Sequence, residues 1–199
     1  MGRLLLLVAA AAGIGWYAAG HAHTQRQEQR LGAIASALAG RTVSVHCQSL
    51  GRELIDVTAE DGEVEFDAFG HPADHTDLKR RICKALARFP RDLVTPAFGC
   101  VDAGTPCTMR VRDDVWAAHV LAHESSHLAG QATEEAAECT AVQTTAFVAR
   151  ELGADAKRAQ AIAAYAWTYL YKTTPDSYQS TDCRNGGKLD LRRGDPVWP

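Results

Sequence analysis

No long run of basic residues occurs in this chain: 21 Lys and Arg stand against 24 Asp and Glu, a formal net charge of -3 over 199 residues. Neutralising a phosphate backbone takes clustered Lys and Arg, so no nucleic-acid partner is expected. None of the six cysteines falls in a CxxC pair, which makes a cysteine-ligated zinc site a poor fit. No GxSxG elbow surrounds Ser125 or Ser126, and neither reads as a serine nucleophile. Repeats and low-complexity tracts are absent too. The length suits one compact domain with a short N-terminal appendage and leaves little room for a second large one.

The appendage is the apolar run Leu4 to Gly20, preceded by Arg3 and followed by the polar stretch His21 to Arg30. A positive residue, an apolar core and small residues at the end describe a secretory signal. The run also meets the lower length limit of a membrane span, and Trp16-Tyr17 resembles an interfacial belt. Residues 1–23 are therefore expected to be a signal peptide or a retained transmembrane anchor, with a slight lean to the anchor. Either reading makes the rest extracytoplasmic, membrane-anchored or secreted. Residues 24–40 read as a linker and short helix, 41–199 as one domain, with an irregular tail from about residue 173.

Export changes how the cysteines are read. Cys47, Cys83, Cys100, Cys107, Cys139 and Cys183 form an even set outside the reducing cytosol, which predicts disulfides. Fifteen pairings are possible. The preferred set closes a short loop with Cys100 and Cys107, ties the tail to the central helices through Cys139 and Cys183, and leaves Cys47 with Cys83.

Hydrophobic periodicity predicts an α+β fold, mostly helical, with a small N-terminal sheet. A short helix is expected over Leu31 to Ala39, ended by Gly40. Strands are expected over Arg41 to Cys47, Leu54 to Thr58 and Val64 to Phe69, with Asp61-Gly62 as a hairpin turn. A helix from Asp77 to Phe89 should stop at Pro90, and Cys100 to Cys107 reads as a loop. Asp113 or Asp114 is expected to cap a helix running to Gly130. Thr133 is expected to cap a second helix running to Gly153, and a third spans Asp155 to about Lys172.

The first of these central helices carries His123-Glu124-Ser125-Ser126-His127. Residues four apart share a helix face, so both imidazoles can reach one ion, while Glu124 sits where it can take a proton from metal-bound water. A third ligand is still needed. In an antiparallel hairpin turning near Gly130, the level between the two histidines mirrors about residue 137, which Glu134 and Glu138 flank. Glu138 lies nearer and is preferred as the ligand, with Glu134 as the alternative or as the group that orients an imidazole. His119 continues the series a turn upstream and reads as cleft-lining or core. His21, His23, His46, His71 and His75 read as surface or loop residues. Tyr165, Tyr171 and Tyr178 read as packing residues that could also stabilise an oxyanion.

These residues resemble the gluzincin branch of HExxH zinc metallopeptidases, in which a Glu from a following helix is the third ligand. Glu134-Glu135-Ala137-Glu138 is similar to that family's ExxAD segment, and the resemblance, unlike the mirror position, favours Glu134. It covers about residues 113 to 152 and departs from the family in the short gap after His127. HExxHxxG through Gly130 resembles metzincins less well, since Thr133 stands where their third His belongs and no Met-turn is present. The N-terminal segment, HExxH, Glu138-Cys139 and Gly186 to Leu191 also resemble a group of uncharacterised exported bacterial proteins. What the first resemblance implies is a zincin-like domain holding zinc and hydrolysing a peptide or protein substrate, with Glu124 as general base. A non-catalytic exported module, held together by zinc and disulfides, is the alternative.

Overall fold

A computed structural model describes residues 22–53, 60–195 and 198. The fold is α+β, with helices packed around a three-stranded sheet. Helix α1 runs over residues 22–39, nine residues longer at its start than the apolar stretch alone suggested. Its polar side chains earn the extra turns: the Glu28 carboxylate accepts from the Cys47 amide at 2.8 Å, and Arg30 donates to the Glu151 carbonyl at 2.8 Å. Leu31, Ile34 and Ala35 are buried.

The sheet has the order β1 (Ser44–Cys47), β3 (His75–Leu78), β2 (Gly62–Glu63), with β1 parallel and β2 antiparallel to β3. The Asp61-Gly62 hairpin turn is not formed, because Gly62 lies within a strand and pairs with Leu78. The expected strand at 54–58 lies outside the described residues. Over 64–69 only a single bridge forms, between Phe66 and Pro72. The Asp67 carboxylate instead folds that stretch into a turn by accepting from the amides of Phe69 and His71.

Strand β3 takes the residues at which a helix was expected to begin. Thr76 and Leu78 alternate inward, and helix α3 follows as Arg80–Asp92. Pro90 does not stop it. A proline removes one amide donor, and in the last turn the loss is small: the Leu93 amide still reaches the Phe89 carbonyl at 3.0 Å.

The segment between Cys100 and Cys107 includes a short helix, α4 (Gly99–Asp102), ahead of its loop. Helix α5 then spans Met109–Leu128, with Thr108, not Asp113 or Asp114, at its N-cap. Asp114 is instead buried inside the helix against Arg88, at 2.6 Å. Helix α5 is covered on nearly every side by α3, α6 and the sheet, which is why it shows little amphipathic contrast. Gly130, at φ +100°, turns the chain into α6 (Glu134–Glu151). Thr133 holds the N-cap position there without a side-chain hydrogen bond, while Asp155 does cap α7 (Ala156–Tyr165) by accepting from the Arg158 amide at 2.9 Å. The expected single helix to Lys172 changes winding at Ala166, where a π turn (Ala166–Leu170) and a 3-10 turn (Tyr171–Thr173) take over.

The tail is irregular, as its composition implied, yet firmly held. Gln143 donates to the Leu189 carbonyl at 2.9 Å and accepts from the Leu191 amide at 2.8 Å. Gly187 has no room for a side chain, because a Cβ would fall 2.2 Å from the Asp182 carbonyl. Trp167, Leu189 and Trp198 pack over Cys139, Val142, Tyr171 and Cys183 in a satellite core.

All six cysteines are paired: Cys47 with Cys83, Cys100 with Cys107, and Cys139 with Cys183. Three disulfides are the mark of a chain that matures in an oxidising, extracytoplasmic compartment. Among the described residues no helix is long and apolar enough to cross a membrane, and Leu4 to Gly20 lies outside them. Peptide mapping of non-reduced protein should recover these three linkages with no free thiol. Any other pairing, or labelling of two or more thiols without reductant, contradicts the arrangement.

Candidate metal centre

Helix α5 presents His119, His123 and His127 to α6, which presents Glu134 and Glu138. His123 Nε2 and His127 Nε2 lie 3.1 Å apart. Glu134 Oε2 closes a triangle with them, at 3.1 Å from His123 Nε2 and 3.5 Å from His127 Nε2. This His-His-Glu group could hold a metal ion, and it is the one such group among the described residues.

The opposite ring nitrogens are already committed. His123 Nδ1–H donates to Glu138 Oε2 at 2.9 Å, and His127 Nδ1–H donates to the Gln131 carbonyl at 2.6 Å. A neutral imidazole that donates from one nitrogen offers a lone pair on the other. Three electron-pair donors therefore converge on one point. The geometry also exchanges the roles expected of the two glutamates. Glu138 sits behind His123 and orients it, while Glu134, in the first turn of α6, supplies the third converging atom. A helix N-terminus favours such a negative group.

Burial pulls the His123 imidazole down, but hydrogen bonds to Glu134 and Glu138 outweigh it and push the group up to about 10. Hydrogen bonds to His123 and His127 hold the Glu134 carboxyl well below its usual range. Burial raises Glu138, yet the proximity of His119 and the hydrogen bond of His123 bring it to about 2.

His119 is wholly buried behind the cluster. Its Nδ1 lies 3.0 Å from Thr145 Oγ1, and Thr145 already spends its one hydrogen on the Ala141 carbonyl at 2.7 Å. Thr145 can then only accept, so His119 Nδ1 carries a hydrogen. On the other side His119 Nε2 stands 3.0 Å from Glu138 Oε1, at an angle too poor for a directed hydrogen bond but close enough for an ion pair. The chain Thr145, His119, Glu138, His123 backs the cluster from within the helix pair.

Glu124 is buried and points toward β2 and β3. Thr76 Oγ1 is 3.4 Å from its carboxylate, and Thr76 gives its shorter bond, 2.9 Å, to the Glu63 carbonyl. Gly62 is what lets β2 approach: a Cβ there would lie 2.6 Å from three atoms of the Glu124 side chain. Burial pushes the Glu124 carboxyl up to about 7, against the pull of His123 and His127. A cavity of about 520 Å³ opens over the cluster. Tyr178 stacks on His123 at 5.9 Å and Phe66 meets His127 edge-on at 5.9 Å.

Of the three tyrosines, only Tyr178 reaches the cavity. Tyr165 Oη accepts from the Cys107 amide and Tyr171 Oη from the Ser180 amide. His46 stacks on His75 at the surface, and His71 pairs with Asp67 there. Gly62, Phe66, Thr76 and Thr145 were not identified from sequence. Each is an ordinary residue in a local pattern and acquires its role only through a neighbour remote in the chain.

No protein-family model matches the chain, and no curated protein or solved structure shows significant similarity to it. In nitrogen-edited NMR the Nδ1–H of His119 should be visible with or without added metal, and its absence contradicts the bond to Thr145. Gly62→Ala should displace Glu124 while leaving the triangle of His123, His127 and Glu134 in place, which a crystal structure of the variant checks.

Proposed function

We propose that this chain is an exported zinc-dependent peptidase, held at the membrane by residues 1–23 or secreted after their removal. The carrying observation is the triangle of two Nε2 atoms and one carboxylate oxygen with a buried glutamate beside it. Its dimensions suit zinc: bonds of about 2.0–2.1 Å in tetrahedral geometry separate donor atoms by roughly 3.3 Å, and the three separations here are 3.1, 3.1 and 3.5 Å. His123, His127 and Glu134 would hold the ion, with Glu138 and His119 behind them. Bound zinc would polarise the scissile carbonyl and lower the pKa of its water toward ~7.

The chain's own groups supply the proton transfers. Glu124, raised to about 7 by burial, is poised to take the proton of the attacking water and pass it to the leaving amine. Tyr178 keeps its proton, because burial pushes its hydroxyl up to about 12, and from the cavity wall it can donate to a developing oxyanion. Gly62 and Thr76 hold the base against the sheet. A zinc and disulfide module without catalysis needs no base, and a buried Glu124 with one contact at 3.4 Å would be an unexplained cost in it.

Elemental analysis of the purified exported chain should give about one zinc, lost in His123→Ala and His127→Ala. Glu134→Gln should weaken zinc more than Glu138→Gln, whose position behind the ligand predicts a loss of roughly 10- to 100-fold. Full retention of zinc in both histidine variants removes the site. Glu124→Gln should keep the zinc and lose at least ~10²-fold of the cleavage of a peptide library, the range of general-base action. Chelator should abolish cleavage by the wild type, and zinc should restore it. Cleavage that survives Glu124→Gln refutes the mechanism.

A further inference from the structure

A second cavity, of about 610 Å³, adjoins the one over the metal cluster, and the two share Asp61, Trp116, Thr174 and Pro175 in their walls. Their charges differ. Carboxylates of Glu60, Glu63, Glu124, Glu134 and Glu138 line the first. Arg81, Lys84, Arg88 and Arg112 line the second, with Asp61 and Asp113 as its acidic members.

Part of this charge is used internally. Arg81 Nε meets Asp61 Oδ1 at 2.6 Å, and Arg88 Nε meets Asp114 Oδ1 at 2.6 Å. The second oxygen of Asp61 accepts from Trp116 Nε1 at 2.7 Å, so each oxygen of Asp61 already has a partner. Asp113 follows Arg112 directly on α5, and adjacent helical residues do not face each other. Lys84 and Arg112 are exposed and have no ion-pair partner among the described residues. Two unpaired cations on a concave wall are complementary to a carboxylate.

The helix sets their distance from the chemistry. Arg112, Trp116, Val120 and Glu124 lie four residues apart on α5, each step turning about 40° further round the helix, and the last three line the metal cavity. Twelve residues at 1.5 Å each put Arg112 about 18 Å from Glu124 along the axis. An extended peptide covers that span with about five residues at ~3.3–3.6 Å each.

We propose that the basic cavity is a remote subsite for acidic side chains of a polypeptide substrate, which lies along α5 with the scissile bond at Glu124 and a Glu or Asp about five residues away at Lys84 and Arg112. The assignment rests on the peptidase reading and narrows it to extended chains carrying acidic residues, because a dipeptide or tripeptide cannot reach both ends. The test uses peptides sharing one cleaved central sequence, with a Glu-Glu, Gln-Gln or Lys-Lys pair placed four to six residues before or after the cut.

On one side kcat/KM should fall in the order Glu, Gln, Lys, by about fivefold to tenfold from first to last, the scale of two exposed ion pairs. The spread should shrink at about 0.5 M salt. Lys84→Glu combined with Arg112→Glu should invert the ranking at unchanged zinc content. A flat ranking on both sides, or one that the double variant leaves unaltered, overturns the subsite while the peptidase stands. If no peptide is cut, calorimetry with the Glu124→Gln protein decides: tighter binding of the Glu-Glu peptides supports the subsite even as the peptidase reading fails, and equal binding of all three overturns it.

Discussion

A carboxylate buried between two imidazoles is the constraint on which the centre of this molecule depends. Glu138 is almost wholly enclosed, and the groups that face it are His119 at 3.0 Å and His123 at 2.9 Å. An isolated buried charge of that kind would cost several kcal/mol, on the order estimated for ions in protein interiors. It is tolerated because two imidazoles reach it from inside the same helix pair. With Glu138 fixed, His123 turns Nδ1 to it and Nε2 toward His127 and Glu134. The triangle is thereby arranged by groups that do not belong to it.

The surrounding structure serves to keep that pair of helices in register. Gly130 and the Gln131 carbonyl close the turn and orient His127 in the same stroke. The Cys139–Cys183 bridge starts one residue beyond Glu138 and fastens the tail, and with it Tyr178, over the cavity. On the opposite side, β2 packs on Glu124 at a distance that only glycine permits. Glu124 is therefore confined from the sheet and His123 from α6.

Two adjoining cavities flank this arrangement. Trp116 and Asp61 stand in both walls, and their hydrogen bond at 2.7 Å divides an acidic chamber from a basic one. Helix α5 runs under both: it carries Arg112 in the basic wall, Trp116 in both, and Val120 and Glu124 in the acidic one.

Local sequence determined what depends on spacing along one element. The HExxH pair, the central helices, the turn at Gly130 and the mostly helical α+β class were all legible, because helical periodicity acts at short range, whereas the pairing preferred for the cysteines was one of fifteen and took the fold to fix. Boundaries failed where tertiary contacts outweighed local preference: β3 took residues 77 and 78 from a predicted helix because they pair with both β1 and β2, and Asp114 became a buried partner of Arg88 instead of a cap. The choice between Glu134 and Glu138 was open in the sequence, since both share one helix face. Only the packed structure shows that Glu134 meets Nε2 of His123 while Glu138 meets its Nδ1, because this is set by the rotation of α6 against α5, which is not written in the spacing of residues along a single helix.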